Sequence, residues 1–144
     1  MKKVEIYTDG ACSGNPGRGG WGAVLIYNGV QKEISGFEPQ TTNNRMELKA
    51  PIEALKILKE KCEVNIYTDS RYVQEGITKW ILNWQKNGWR NSSKEEIKNA
   101  DLWQELLTQS QKHQTSWHWV KGHSNNIMNN LADKLATSAI ENNR

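Results

Sequence analysis

Five short segments of the chain predict β-strands, and the first and last of them alternate apolar and polar residues. A period of two is typical of a strand because successive side chains point to opposite faces of the sheet. The segments cover residues 4–8, 21–27, 30–37, 63–68 and 115–120. Asn28-Gly29 separates the second from the third and predicts a tight hairpin. The chain therefore opens with three consecutive strands.

A longer apolar period, close to that of a helix, appears after the third strand. Residues 41–44 offer several N-cap side chains, and Leu48, Ile52 and Leu55 then form an inward stripe up to about residue 59. Pro51 lies inside this helix and predicts a kink, because its ring removes one backbone hydrogen bond. Further helices are predicted over residues 70–76, 77–87, 100–109 and 128–140.

The order of these elements, β-β-β-α-β-α-α-α-β-α, indicates an α/β protein with a five-stranded mixed β-sheet flanked by helices. With 144 residues, the expectation is one domain over residues 1–144. No apolar run reaches the length of a membrane span, and the first residues read as a strand, which is not the pattern of a signal peptide. The two cysteines, Cys12 and Cys62, are typical of a reducing cytoplasm, although a bridge between them stays open.

The net charge of +3 is unevenly distributed. Residues 77–98 hold five basic and two acidic residues, so this segment accounts for the whole excess of positive charge. It also contains three of the seven tryptophans. We call residues 77–98 the handle segment. A basic, tryptophan-rich surface is typical of proteins that bind nucleic acid.

One short sequence occurs twice, as Ile6-Tyr7-Thr8-Asp9 and as Ile66-Tyr67-Thr68-Asp69. Each copy predicts a strand that ends in an aspartate. An aspartate at such a position often serves only as a turn former or a helix cap. The alternative is that two neighbouring strands deliver two carboxylates to one place.

Two further acids strengthen the second interpretation. Glu47 falls near the start of the first helix, and Asp133 falls in the last helix. Carboxylates that converge repel one another by roughly 3 kcal/mol per pair at ~5 Å, so four of them require cations. A set of oxygen ligands suits Mg²⁺ or Mn²⁺. Such a site is typical of two-metal phosphodiester chemistry.

Other candidate residues have competing interpretations. The glycine-rich stretch 10–20 lacks the ending of a phosphate-binding loop, and a strand follows it. His123 is either a solvated loop residue or, beside a metal cluster, a proton carrier. Trp80 and Trp84, four residues apart on one helix, are either core residues or, next to Lys86, an exposed platform for sugars and bases.

Several strings, taken together, identify a family. YTDGACSGNPGRGGWG, TTNNRMEL, IYTDSRYV, GITKWILNWQKNGW, NADLWQEL and VKGH followed by ADKLA resemble bacterial ribonuclease HI along essentially the whole chain. The resemblance implies the ribonuclease H-like fold. It implies a monomeric endonuclease that hydrolyses the RNA strand of an RNA–DNA hybrid with two Mg²⁺ ions, leaving 5′-phosphate and 3′-hydroxyl ends. Removal of RNA primers and R-loops is the implied role.

The resemblance also implies roles for individual residues. The metal carboxylates would be Asp9, Glu47, Asp69 and Asp133, and His123 would assist in water activation or product release. The hybrid would be contacted by Cys12, Asn15, Thr42, Asn43, Asn44, Trp80, Trp84, Lys86 and Asn129. Of these, the residues at positions 12, 15, 43 and 44 would meet the RNA 2′-hydroxyl groups, which distinguish RNA from DNA.

The chain departs from the family pattern at several positions, which are Pro51, Arg71, Asn125, Asn130 and the acidic pair Glu95-Glu96 in the handle segment. The charge of Arg71 either binds a phosphate or has no role. Two other functions stay open: a non-catalytic module that binds hybrids or duplex RNA, and a different two-metal nuclease that acts on DNA. The complete acidic set favours catalysis over the first, and the residues expected to read 2′-hydroxyls argue against the second.

Overall fold

The computed structural model describes residues 1–122 and 125–143, and five strands in these residues form one mixed sheet. The strands are β1 Lys2–Ser13, β2 Gly17–Tyr27, β3 Val30–Thr41, β4 Cys62–Thr68 and β5 Gln114–Trp119. Their order across the sheet is β3-β2-β1-β4-β5. The first three strands are antiparallel, whereas β4 runs parallel to both β1 and β5. The predicted five-stranded mixed sheet is confirmed.

The helices lie on both faces of this sheet. They are α1 Asn43–Lys56, α2 Arg71–Glu75, α3 Ile81–Lys86, α4 Ala100–Gln111 and α5 Ile127–Glu141. On one face, α1 packs on β1 and β2, and α4 packs on α1. On the other face, α5 covers β1, β2 and β3. The main core lies under α1 and α4, where Ile6, Ile66 and Trp103 are fully buried.

Strand β1 is longer than the sequence pattern predicts. The expected strand ended at Asp9 and led into a glycine-rich loop, but β1 continues through Asp9 to Ser13, and β2 begins at Gly17. Gly10 explains the difference, because a Cβ atom there would lie 2.5 Å from the backbone nitrogen of Glu47. The glycine allows α1 to pass directly over the strand. Asp9 therefore sits within a strand and is not at its end.

The helical region after β4 also differs from the prediction. We expected a break near Gly76, but the chain remains helical from Arg71 to Lys86, with a π-helical turn over Gly76–Trp80 between α2 and α3. Gly76 is buried against the ring of Trp103, so here a glycine serves helix packing. Helix α1 likewise runs through Pro51 without interruption. The kink expected at Pro51 stays a prediction.

The repeated tetrapeptide has a direct structural counterpart. In the parallel pairing of β1 with β4, Ile6 lies beside Ile66, Tyr7 beside Tyr67 and Thr8 beside Thr68. The two tyrosine rings stack with centroids 4.6 Å apart, and His118 of β5 extends the stack at 4.9 Å from Tyr67. The two copies therefore end side by side at the point where β4 stops and β1 continues, and this brings the two aspartates together as the second interpretation of the repeat requires.

Both cysteines are free thiols, so the bridge left open by the sequence does not form. The backbone N–H of Cys62 donates to Nδ1 of the buried His113 at 3.1 Å, which joins the start of β4 to the end of α4. Among the described residues, none of the helices combines the length and apolar character that crossing a bilayer requires.

Candidate active site

Three carboxylates from three different elements meet at one edge of the sheet. Asp9 of β1, Glu47 of α1 and Asp69, which follows β4, each place an oxygen within 4.8 Å of the others. Asp133 of α5 lines the same cavity of about 270 Å³, together with Gly10, Asn43 and Ser70. We call the four acids the carboxylate cluster. The convergence predicted from the sequence is therefore observed.

The backbone of Gly10 fixes two members of the cluster. Its N–H donates to Oδ1 of Asp9 at 2.9 Å and to Oε1 of Glu47 at 2.8 Å. Both carboxylates are 5% exposed, so they have little access to other donors. Because the same glycine allows α1 to approach β1, one residue sets both the distance between the two elements and the orientation of their acids.

Asp69 is held at its backbone. Its carbonyl oxygen accepts a hydrogen bond from Nε1–H of Trp119 at 3.0 Å, and the neighbouring Thr68 carbonyl accepts one from the N–H of Val120 at 2.9 Å. Ser70 then caps the following helix, since its hydroxyl accepts from the N–H of Val73 at 3.1 Å. The Asp69 side chain is thereby left to face the cluster.

Burial and mutual repulsion dominate the electrostatics of the cluster. Burial raises the pKa of Asp9 far above its usual range, and the negative charges of Glu47 and Asp69 raise it further. Burial also raises the pKa of Glu47, an effect that hydrogen bonds from Asp9 and Gly10 partly offset. Without a cation, the cluster therefore retains protons at neutral pH that model carboxylic acids would have lost.

The donor set of the cluster fits a hard divalent cation. All its ligand atoms are carboxylate oxygens, which Mg²⁺ and Mn²⁺ prefer over the nitrogen and sulfur ligands typical of zinc. Oε2 of Glu47 is buried and has no hydrogen-bond partner among the described residues. A buried, unpartnered carboxylate oxygen is costly unless a cation compensates it.

Five of the residues predicted to contact the hybrid surround the start of α1. The Thr42 hydroxyl accepts from the N–H of Arg45 at 3.2 Å, which confirms the predicted N-cap. The side chain of Asn15 accepts from the N–H of Asn43 at 3.0 Å, and the Cys12 thiol contacts the carbonyl oxygen of Thr41 at 3.5 Å. Asn44 is exposed on the first turn of the helix. These five predicted residues therefore form one surface beside the cluster.

Asn129 lies on the same helix as Asp133, one turn before it. The residue is 1% exposed, yet neither atom of its side-chain amide has a hydrogen-bond partner within residues 1–122 and 125–143. Its backbone N–H donates to the Asn126 cap at 2.9 Å. His123, the remaining predicted catalytic residue, lies outside the described residues.

The aromatic residues of the handle segment divide between core and surface. Trp84 packs against Trp103 with ring centroids 5.3 Å apart, and both Trp84 and Trp89 border the main core. Trp80 is 36% exposed, and its ring centroid lies 5.9 Å from that of Trp84. Of the two interpretations, the core one therefore describes Trp84, whereas Trp80 keeps a face available to a ligand. Lys86 is exposed at the end of α3.

Trp119 and Arg71 adjoin the cluster, and Trp119 is a residue for which no sequence pattern predicts a site role. The Arg71 guanidinium lies over the Trp119 ring at 3.7 Å from its centroid. The sequence feature that could have drawn attention to Trp119 is the alternation Trp117-His118-Trp119. In a strand, this alternation places Trp119 on the opposite face of the sheet from His118.

The mixed sheet, the helices on both its faces and the four acids that line one cavity together define an α/β protein with a carboxylate cluster that could hold a metal ion. Many phosphoryl-transfer enzymes have such a cluster. The sequence model of the RNase H family matches residues 1–141. The chain therefore belongs to the ribonuclease H family.

Individual relatives agree with this assignment. The chain is 62% identical over 137 residues to a ribonuclease H of Francisella philomiragia subsp. philomiragia, and the aligned residues make up 95% of this chain and 90% of the relative. It is 60% identical over 139 residues to a ribonuclease H of Legionella pneumophila strain Lens, covering 96% and 97% of the two chains. Its structure is similar to that of LC9-RNase H1, a type 1 RNase H with the type 2 active-site motif, with a TM-score of 0.91 and 35% identity over 100% of this chain and 74% of the other.

Proposed function

We propose that this protein is an endonuclease that hydrolyses the RNA strand of RNA–DNA hybrids, leaving 5′-phosphate and 3′-hydroxyl ends. The observation that carries the proposal is the convergence of Asp9, Glu47 and Asp69 at an open cavity that Asn43 also lines. Membership of the ribonuclease H family supports it. A protein that only bound hybrids would have no need for several buried carboxylates at such a cost in repulsion.

The four acids would hold two divalent ions, which we propose to be Mg²⁺, with Mn²⁺ as the alternative. When bound, such ions activate the attacking water and stabilise the leaving oxygen of the phosphodiester. The protein's own part is to keep its carboxylates oriented. The N–H of Gly10 performs this for Asp9 and Glu47, and the Trp119 indole performs it for the backbone of Asp69. His123 is proposed as the residue that carries a proton to or from the reacting water.

The surface beside the cluster is proposed to read the RNA strand. The side chains of Cys12, Asn15, Asn43 and Asn44 offer polar groups near the start of α1, where 2′-hydroxyl groups require both donors and acceptors. Thr42 and Lys86 are proposed to contact phosphates of the DNA strand, and Trp80, with Trp84 behind it, its sugars and bases. Asn129 is proposed to act near the scissile phosphate, since its buried amide lacks other described partners.

Three further properties complete the proposal. The chain acts as a monomer, residues 1–144 work as one domain that contains the handle segment, and the site of action is the cytoplasm, where RNA primers and R-loops arise. The free thiols of Cys12 and Cys62 are consistent with a reducing compartment.

The proposal is tested with labelled RNA–DNA hybrid, duplex RNA and duplex DNA of one sequence, each incubated with Mg²⁺, Mn²⁺ or EDTA. We expect cleavage of the RNA strand of the hybrid alone, and only with a metal ion. Asp9→Asn should reduce the rate by at least about 10³-fold while hybrid binding persists, because it removes a ligand but keeps the side chain's shape. Glu33→Gln, an exposed acid of β3, is the matched control and should cleave normally.

Each alternative function has its own outcome in this assay. Binding of the hybrid without cleavage under any condition would identify a non-catalytic module. Cleavage of duplex DNA would identify another two-metal nuclease. Full activity of Asp9→Asn would refute the metal role of the cluster.

A further inference from the structure

Arg71 is an exposed arginine with one well-defined contact. Its guanidinium stacks on Trp119 at 3.7 Å from the ring centroid, and Trp119 in turn donates its indole N–H to the carbonyl oxygen of Asp69. A guanidinium that stacks on a ring keeps its five N–H groups directed outward in its own plane, parallel to the ring. The contact therefore fixes the position of the charge and leaves its hydrogen-bond donors available.

The stability of the fold does not account for this charge. Arg71 is the first residue of α2, where the helix dipole disfavours a positive side chain. Within residues 1–122 and 125–143, no carboxylate forms an ion pair with Arg71, and that includes Asp69, only two positions away. Arg45 shows the contrast, since it makes two hydrogen bonds to Asp101 at 3.0 and 2.8 Å.

The location of Arg71 points to an anionic ligand. Ser70, the residue before it, lines the cavity of the carboxylate cluster, and Asp69 belongs to the cluster itself. The cluster would repel any phosphate that lay near it without compensation. A positive group held at the rim is suited to the phosphate next to the one that reacts, because planar guanidinium groups bind phosphate oxygens through two parallel hydrogen bonds.

We propose that Arg71, held by Trp119, binds a phosphodiester of the RNA strand that flanks the scissile linkage. This inference rests on the proposed function, because it takes the cluster as the place where the RNA strand is cut. Arg71 is then a substrate-positioning residue, and Trp119 supports it by limiting the rotamers of the guanidinium before the substrate arrives.

The salt dependence of binding provides the first test. Hybrid affinity is measured from 50 to 300 mM salt with each Arg71 variant combined with Asp9→Asn, which keeps the hybrid uncut. The cleavage kinetics are measured with the same Arg71 variants in a protein that keeps Asp9. We expect Arg71→Gln to weaken binding by about 3- to 10-fold and to lower the slope of log affinity against log salt by about one. The value of kcat should stay within about twofold.

Lys61→Gln is the matched control. Lys61 is also exposed, and it immediately precedes β4, whereas Asp69 follows the other end of that strand, so this variant removes one positive charge far from the site. Its salt slope should equal that of the parent. Arg71→Lys should recover the slope but only part of the affinity, because lysine keeps the charge and lacks the planar donors.

The second test locates the phosphate. Single uncharged methylphosphonate linkages are placed in turn at each position on either side of the cleavage site. We expect one position at which the methylphosphonate weakens binding by the protein that retains Arg71. At that position the methylphosphonate should not weaken binding by the Arg71→Gln protein any further. Trp119→Phe keeps a ring under the guanidinium and should retain that sensitivity, whereas Trp119→Leu should lose most of it.

The outcomes separate this inference from the proposed function. If the wild-type protein cuts hybrid while Arg71→Gln and Lys61→Gln behave alike in affinity, slope and methylphosphonate response, then Arg71 binds no phosphate. If the wild-type protein fails to cut hybrid at all, it is the proposed function that fails.

Discussion

The carboxylate cluster and the handle segment are built in opposite ways. The acids of the cluster come from β1, α1 and α5 and from the residue after β4, all of which pack on the central sheet. The handle segment, in contrast, extends past α3 into turns in which Trp89 and Lys94 have positive φ angles and most side chains are exposed. It is attached to the main core through the buried Ile81 and through Ile77, Trp84 and Trp89, which pack against that core.

This difference suits the two regions to different tasks, which are the precise placement of metal ligands in the cluster and the binding of nucleic acid by the handle segment. A metal site needs its ligands within a fraction of an ångström, which only packed elements provide. Phosphate binding by lysine and arginine tolerates far more movement, because the attraction between charges falls slowly with distance. We therefore expect changes in the cluster to reduce kcat, and changes in the handle segment to alter KM and stability.

The largest effect is expected from Gly10→Ala. The added Cβ would lie 2.5 Å from the backbone of both Met46 and Glu47, so α1 must shift and carry its acid away from Asp9. We expect kcat to fall by more than about 100-fold, since displacements of ~1 Å have such effects, together with a loss of about 1–3 kcal/mol in stability. Single-turnover kinetics and urea unfolding measure the two.

Gly29→Ala serves as the control for that variant. Gly29 has a φ of +79° in the hairpin turn and no neighbour within 4 Å, so its substitution costs about 1 kcal/mol through the backbone alone. Its kcat should remain normal. Equal losses of kcat in the two glycine variants would mean that the position of α1 does not control the cluster.

The second prediction concerns the attachment of the handle segment. Trp84→Ala removes a ring that packs on Trp103, and we expect it to lower the free energy of unfolding by about 2–3 kcal/mol and to raise KM without changing kcat. Trp80→Ala, at a more exposed ring, should cost less than about 1 kcal/mol. A large loss of kcat in either variant would contradict the proposed separation.

The third prediction is a pH dependence of the metal-free protein. Asp9 and Glu47 have pKa values raised above their ordinary values of 3.8 and 4.5, so between the ordinary and the raised pKa values the folded state binds more protons than the unfolded state. Stability in EDTA should therefore fall as the pH rises above about 4, by at most about 1.4 kcal/mol per pH unit for each proton.

Thermal unfolding from pH 4 to 8 measures this effect. His113 acts in the opposite direction, because burial lowers its pKa and its contribution is lost as the pH falls below about 6.5. Comparison with Asp9→Asn isolates the cluster, since that variant keeps His113 and should lose less stability as the pH rises. Identical pH profiles for the two proteins would contradict the raised pKa of Asp9.

The smallest effect is expected from single charges of the handle segment. Lys86→Gln should lower the salt slope of hybrid binding by about one and raise KM a few-fold. Lys79→Gln should do less, because Lys79 Nζ already lies 2.8 Å from Oε2 of Glu75. A flat salt response of the wild-type protein would leave the handle segment as a solvated surface.

Much of the fold could be predicted because its patterns are local. The Asn28-Gly29 hairpin, the Thr42 cap and the strand periods depend on residues close in sequence. Contacts between distant residues explain the errors. A glycine such as Gly10 or Gly76 suggests a loop or a break until the structure shows which element packs against it. The exact length of β1 could not be predicted from the sequence, because it depends on the packing of α1 against Gly10.

The site could be predicted as a set of residue types but not as a geometry. The repeated Ile-Tyr-Thr-Asp indicated that two aspartates would meet, and β1 and β4 do lie side by side. The division of tryptophans between core and surface depends on Trp103, which lies in another helix. The stack of Arg71 on Trp119 joins residues that are far apart in sequence, and no local pattern indicates it.

The in-register pairing of the two Ile-Tyr-Thr copies has a consequence for self-association. Within the folded chain, this tripeptide forms a parallel ladder with its own sequence. Two unfolded or partly opened molecules can form that same ladder with each other, because identical strands in register also underlie cross-β assembly. The charged Glu5 directly precedes the first copy, and Glu63 lies three residues before the second, where both oppose such stacking. Fibril formation from partly opened molecules is therefore the expected route by which this chain aggregates.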